Sequence, residues 1–275
     1  MPASGALALE QEMDVQILPL VPNVLLPVAA TASTRPHVPA GYGVQEQCLP
    51  FTAATSLGLL IRSPITFGLC SAKDVPPGAH GFRSPLDPDG RSDPRMFFVK
   101  DDPDCRFARN AFGLTPIAFR DPKGRRNILR NVQPGLSFFD RPDQQAMFKI
   151  HLPFVLRTPA GMNSLFTAAI NRESPLVIAA GLVDTDWYAH PVNLVARKPA
   201  HGDLHVAAGD VIAQVVFVPR DARKADARLV TSGSAEERAA QQDLLTWYAR
   251  HAQDRSAYKR LARSRHGEHA PVQPS

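Results

Sequence analysis

Cysteine is scarce in this chain. The three cysteines among 275 residues, Cys48, Cys70 and Cys105, lie far apart and form no C-x-x-C unit. Such spacing argues against a disulfide framework and a thiolate zinc site, and it fits a reducing compartment. An uninterrupted apolar run is missing too. The longest, Val15 to Ala32, is cut by Pro19, Pro22 and Pro27, so it cannot cross a bilayer as a regular helix. The opening residues, MPASGALALEQEMD, have no basic segment ahead of an apolar one. No secretory signal is therefore expected, and the cytoplasm is the expected location. No G-x-S-x-G elbow and no internal repeat occur.

Charge of one sign is limited as well. Charged residues make up 21% of the chain against 44% hydrophobic, and the formal net charge is only +5, the balance of an ordinary globular protein. Arginine and lysine gather at Arg120–Arg130 and Arg250–Arg265. Both clusters read as solvated faces, and nucleic acid is not expected as a partner. His190, His201 and His205 lie close in sequence. Zinc wants three or four convergent ligands at recognisable spacing, and these read as surface or turn histidines.

Proline, by contrast, is plentiful, with 26 residues scattered along the chain. Scattered proline disfavours long helices and suits short strands joined by loops. Val15 to Ala32 reads as an extended segment at the edge of a core. Thr52 to Leu57 reads as a helical turn, Leu59 to Leu69 as a buried strand, and Pro76 to Pro94 as a surface loop. MFFVK, GLSFFD, AMFKIHLPFVLRT, NSLFTAAI, LVIAAGLVD, PVNLVAR, DLHVA and DVIAQVVFVP are strand candidates, with Pro153 marking an edge or bulge. DVIAQVVFVP is apolar on both faces around Gln214, which places it mid-sheet and requires a partner for the buried amide.

The character changes at Ser234. With Glu237 it forms a capping box, and Leu244, Leu245, Trp247, Tyr248, Tyr258 and Leu261 recur at helical spacing. One or two helices are expected from Ala235 to about Arg263, with the stripe docked on the β core. The expected organisation is a flexible leader 1–14, one mainly β domain 15–233, a helical arm 234–263 and a disordered tail 264–275.

GLVDTDWYAHPVNLV followed by LHVAAGDVIAQVVFVP resembles two motifs of the dUTP pyrophosphatases and their dCTP deaminase relatives. Gly181, Asp184, Asp186, Trp187, Gly209, Asp210, Ile212, Ala213 and Gln214 carry that resemblance. It implies a β-clip-like (dUTPase-like) sandwich or barrel, with the similar part near 146–220, and a homo-oligomer as an expected state. More widely, ATSLGLLIRSP, LPFVLRTPAGMNSLF, GLVDTDW and WYARHAQDRSAYKR resemble an uncharacterised bacterial family, from about Leu49 to Arg263. That likeness bears on extent and architecture only.

By the first resemblance, Asp184 would order a water and Trp187 would be the platform for a sugar. Asp186, Arg172, Gln214 and Asn193 complete the candidate site, and a small molecule is the expected partner. A carboxylate at a strand end is rigid and can act on water through a hydrogen bond, and an indole stacks on any flat ligand. The departures count too. Tyr188-Ala189-His190 stands where the family has arginine-glycine, and Glu173 sits between Arg172 and Ser174 where phosphate binds. No Gly-rich terminal arm follows. Phosphate recognition needs N–H donors or cations, so a standard dUTP hydrolase is not expected. Asp184-Thr185-Asp186 equally suits a capped β-turn, whose side chains accept backbone N–H groups without any ligand. Catalysis or binding alone stays open, as does a non-catalytic accessory role, and no cofactor is named by the sequence.

Overall fold

The computed structural model describes residues 13–20, 24–31, 49–83, 93–99, 118–120, 123–128, 134–139, 147–198, 204–224 and 227–265. The chain is mainly β, with short antiparallel strands and helices concentrated at the C-terminal end. It divides into two compact units. The first comprises Met1–His37 and Ala54–Ala222, the second Val38–Ala53 and Arg223–Ser275. Most of the leader and of the tail, and His201, fall outside the described residues.

Proline and turn residues set the strand breaks in the first unit. β1 (Gln16–Pro19) and β2 (Val28–Ala29) are the two pieces of the proline-cut opening segment. A helix, α1 (Leu49–Thr55), precedes β3 (Leu59–Arg62) and β4 (Thr66–Ser71). One strand was expected over Leu59 to Leu69, but the chain breaks at Ser63-Pro64 and the halves enter different sheets. The break is pinned by Ser63, whose N–H donates to Asp210 O (2.7 Å) and whose carbonyl accepts from Gly209 N (2.9 Å). β5 (His80–Arg83) and β6 (Pro94–Val99) pair with each other, and β6 with β4. β7 (Ala118–Arg120) and β8 (Arg126–Ile128) form a separate ribbon.

β9 (Leu136–Phe138), β10 (Phe148–His151) and β11 (Phe154–Arg157) follow. Pro153 does more than mark an edge. It separates β10 from β11, which leaves its neighbour's sheet and pairs with β1. Proline cannot donate to a ladder, so the chain changes sheet where the donor is lost. β12 (Met162–Thr167), β13 (Val177–Ile178), β14 (Gly181–Val183), β15 (Asn193–Arg197), β16 (Leu204–Val206) and β17 (Val211–Pro219) complete the set.

The largest sheet has the order β14-β12-β17-β3-β2, so β17 is central, as its two-sided apolar character demands. A second sheet runs β13-β15-β10-β9 and a third β16-β4-β6-β5. One hydrophobic cluster draws Ile61, Phe166 and Val215 from the first, Ile150 and Leu194 from the second, and Phe67 and Leu204 from the third. Each fully buried side chain of this kind contributes about 1.5–3 kcal/mol. Phe67 meets Phe148 edge-on, with centroids 6.0 Å apart.

The second unit carries α2 (Ala235–Gln253) and α3 (Ala257–Arg265). Ser234 caps α2, accepting from Glu237 N at 3.1 Å, while the Glu237 carboxylate accepts from Gly233 N at 2.6 Å. The apolar stripe that was expected to be a docking face lies along α2 of this unit. No residue of α2 is buried, and Leu244, Leu245 and Tyr248 are all more than half exposed. Within this unit Trp247 stacks on His251 and meets Tyr258 edge-on. No described helix is long and apolar enough to cross a membrane.

Candidate functional site

The β12–β17 ladder runs from Met162↔Pro219 at one end to Thr167↔Gln214 at the other. β14 lies antiparallel on the far side of β12, pairing Ser164 with Val183 and Phe166 with Gly181. The chain therefore leaves β14 at the Met162 end, and this is where Asp184, Thr185 and Asp186 fall.

Thr185 anchors the turn from inside. Its buried hydroxyl lies 2.7 Å from Ser164 Oγ and 2.9 Å from Thr158 Oγ1, and Thr158 Oγ1 donates to Met162 O at 2.8 Å. Linked hydroxyls in a low-dielectric interior strengthen one another, so the chain is fixed here on three sides. Thr158 N also donates to Thr185 O at 3.3 Å, which ties the T-P-A-G turn to the D-T-D turn.

Asp186 is tied down as well. One oxygen accepts from Gly161 N at 3.0 Å, and the Arg220 guanidinium grips both. The bond from Gly161 is the largest effect on this carboxyl; burial opposes it, and the charge and hydrogen bond of Arg220 add to the lowering, so the group lies below its ordinary range. Arg220 is itself placed by its backbone, whose N–H donates to Gly161 O at 2.8 Å. Asp184 is held more loosely. Its Oδ1 is 3.7 Å from Arg220 Nε, and the side chain remains 35% exposed, against 7% for Asp186. One acid locks the turn; the other still faces water.

The aromatic residues follow at once. The Asp184 carbonyl accepts from Trp187 N (3.3 Å) and Tyr188 N (2.9 Å), closing a tight turn. Trp187 is 67% exposed and Tyr188 40%, with ring centroids 6.0 Å apart and planes at 81°. The His190 ring lies 5.5 Å beyond Tyr188. His190 Nδ1 sits 2.8 Å from Pro191 O, and a carbonyl only accepts, so that nitrogen carries a proton.

Other sequence candidates lie elsewhere. Gln214 is fully buried at the opposite end of the ladder. Its Oε1 accepts from Ile170 N (2.9 Å) and its Nε2 donates to Leu57 O (2.5 Å), so both polar ends serve the backbone. Arg172 follows the same distal end of β12, in the loop before β13. Asn193 stands on β15 opposite His151, in another sheet, and its buried Oδ1 has no partner among the described residues. The structure thus brings Asp184, Asp186 and Trp187 together and leaves Arg172, Gln214 and Asn193 outside that group. Among the described residues, no cluster of three or more His, Cys, Asp or Glu side chains is arranged to hold a metal.

Arg220 was missed, along with the contribution of Gly161. The one available signal was position. An arginine directly after the central strand, at Pro219-Arg220, must emerge where Met162 pairs, beside the G of T-P-A-G.

No family model matches the chain, and no curated protein matches it. Solved structures do. The chain is similar to a mutant of the dUTPase from phage phi11 of S. aureus, at 12% identity, covering 81% of this chain and 99% of that one, with a TM-score of 0.33. It is similar to a Staphylococcus bacteriophage 80alpha dUTPase with dUpNHpp, at 14% identity over 81% and 90%, TM-score 0.33. EIAV dUTPase is similar at 11% identity over 37% and 99%, TM-score 0.23.

Proposed function

We propose that this chain binds a small molecule bearing a flat ring at the Asp184–Trp187 turn, in its finer form a nucleotide-like compound, on a β-clip-like scaffold. The observation that carries the reading is the indole of Trp187, two-thirds exposed on a backbone that Thr185 and Asp186 hold rigid. An exposed aromatic on a fixed support offers a stacking face at little ordering cost on binding. Asp184 is the polar partner, an acceptor for ligand hydroxyl or amino groups. Asp186 and Arg220 act as positioning residues.

If the site also processes its ligand, Asp184 is the base that orders water, as the resemblance implies. A small-molecule site in a cytoplasmic homo-oligomer is the full form of the proposal, and sedimentation velocity reads the oligomer. A second reading, an accessory β protein without a ligand, is favoured by one observation. Asp186 and Gln214, two motif residues, are both engaged in bonds that any stable fold could use.

Thermal shift against nucleosides, nucleotides and common metabolites separates the two. A ligand at a hundredfold excess over Kd contributes about 2.7 kcal/mol, a readily measured rise in midpoint. Asp184→Asn and Trp187→Ala should each abolish that rise while leaving the free protein's midpoint nearly unchanged. A rise that survives both substitutions places the ligand elsewhere, and no rise with any compound supports the accessory reading.

A further inference from the structure

We infer that Ser137, His151 and Asn193 form a nucleophile, a base and an orienter for the hydrolysis of small carboxylic esters. They stand on the sheet β13-β15-β10-β9, a different sheet from the one that leads into the Asp184 turn. Leu136, Phe148, Ile150, Leu194 and Ala196 of that sheet belong to the hydrophobic cluster. Alternation along each strand therefore sends Ser137, Lys149, His151 and Asn193 to the other face, where all four are half-buried. Register completes the grouping. Lys149 lies opposite Ser137 and Asn193 opposite His151, and His151 N donates to Gly135 O at 3.0 Å, pinning β10 to β9 beside the serine.

Ser137 Oγ is 2.8 Å from His151 Nε2, the reach that a nucleophile and its base require. With the imidazole proton on Nδ1, Nε2 accepts from the hydroxyl. The third member follows from strand order. β10 lies between β9 and β15, so the imidazole has the serine on one side and Asn193 on the other. Directly opposite residues carry Cβ atoms about 5 Å apart, a span that an amide and a ring can bridge. Asn193 Oδ1 is buried and has no partner among the described residues. An unpaired buried acceptor is costly, and Nδ1–H of His151 is the donor that register sets nearest to it. Accepting there fixes the tautomer that leaves Nε2 as the base, so Asn193 is a positioning residue. A strand presents this serine where other hydrolases use a G-x-S-x-G elbow, so motif reading passes it over.

An ester is the class of substrate that the remaining neighbours fit. Lys149 sets a cation beside the serine, where negative charge develops on a carbonyl oxygen under attack. Its ammonium lies 4.6 Å from the centroid of the Phe139 ring, an apolar surface for an acyl group. In the first step Ser137 Oγ bonds to the carbonyl carbon and its proton passes to His151 Nε2. The bond from that carbon to the alcohol oxygen then breaks, and the departing alcohol takes the proton. Water next attacks the acyl-serine and gives a proton to Nε2. The Oγ–carbon bond breaks, the acid leaves, and the serine regains its proton.

The test gives the full chain p-nitrophenyl acetate and, separately, diisopropyl fluorophosphate, whose adduct is located by peptide mass mapping. Ester turnover with a single adduct at Ser137 is the expected result. Ser137→Ala should abolish turnover, and His151→Gln should lower it about 100-fold. Asn193→Ala should slow it less, and Asn193→Asp, which keeps an acceptor for the imidazole, should recover that loss. A side chain that only filled space would give no such recovery. Thermal midpoints verify that each variant is folded, and adduct mapping on the unaltered chain needs no variant at all. No adduct, or adducts spread over other serines and tyrosines, would overturn the inference. Turnover unchanged by Ser137→Ala would overturn it too, and turnover unchanged by Asn193→Ala would overturn the orienting role.

Discussion

Asp184 and Asp186 are two residues apart and chemically identical, yet their environments divide the labour. Asp186 accepts from Gly161 N and from Arg220, and its pKa is lowered. A carboxyl whose folded pKa lies below its unfolded value contributes stability above the unfolded pKa, near about 4, and loses it as pH falls through the folded one. Asp186→Asn removes the charge while keeping an acceptor for Gly161. Urea midpoints should therefore separate wild type from variant at about pH 6, and the gap should narrow as pH falls below about 4. A gap that stays constant over that window would show that ionisation of Asp186 is not involved. Thr185 gives a second test at this scale. Thr185→Val keeps the shape but strips Ser164 of its hydroxyl partner, and should cost about 1–3 kcal/mol in urea unfolding. Whether each acid would lock the turn or face a ligand was not legible in D-T-D, because the deciding partners, Gly161 and Arg220, are distant in sequence.

Element boundaries show how far local rules reach. The positions of β12, β15, β16 and β17, and the Ser234 cap of α2, follow from alternation, turn residues and capping chemistry, all readable along the chain. The strand expected over Leu59–Leu69 failed because Ser63-Pro64 breaks it, and the cost of that break is met by Gly209 and Asp210, some 150 residues away. Gly58 belongs to the same region. Its φ is +64°, and an added Cβ would lie 2.0 Å from Val215 O on the central strand. Gly58→Ala combines the left-handed penalty, about 1–2 kcal/mol, with a backbone clash. The urea midpoint should fall by more than the first amount alone would produce, at unchanged slope. A small effect would mean that β3 and β17 part easily there.

Across the whole molecule, the hydrophobic cluster lies entirely in the first unit, from Ile61 to Val215, while α2 buries none of its residues. A chain ended after Ala222 should unfold cooperatively with a midpoint within about 4 °C of the full chain's, since about 1 kcal/mol moves a domain of this size by only a few degrees. A collapse of the midpoint would assign the C-terminal helices a share in that core's stability. The exposed stripe of Leu244, Leu245 and Tyr248 carries a lesson of its own. Helical periodicity reveals an apolar face, but periodicity is a property of one segment and does not say whether anything covers it. By itself, the sequence determined the class of the fold, the central placement of β17, the helical C-terminal segment and the clustering of Asp184, Asp186 and Trp187, because each depends on neighbours within a few residues. Only the tertiary structure decided that Arg220 and Gly161 would hold Asp186, that Gln214 and Arg172 would fall at the other end of β12, and that the indole would face solvent. Strand register and sheet exchange bring together residues that no local pattern links.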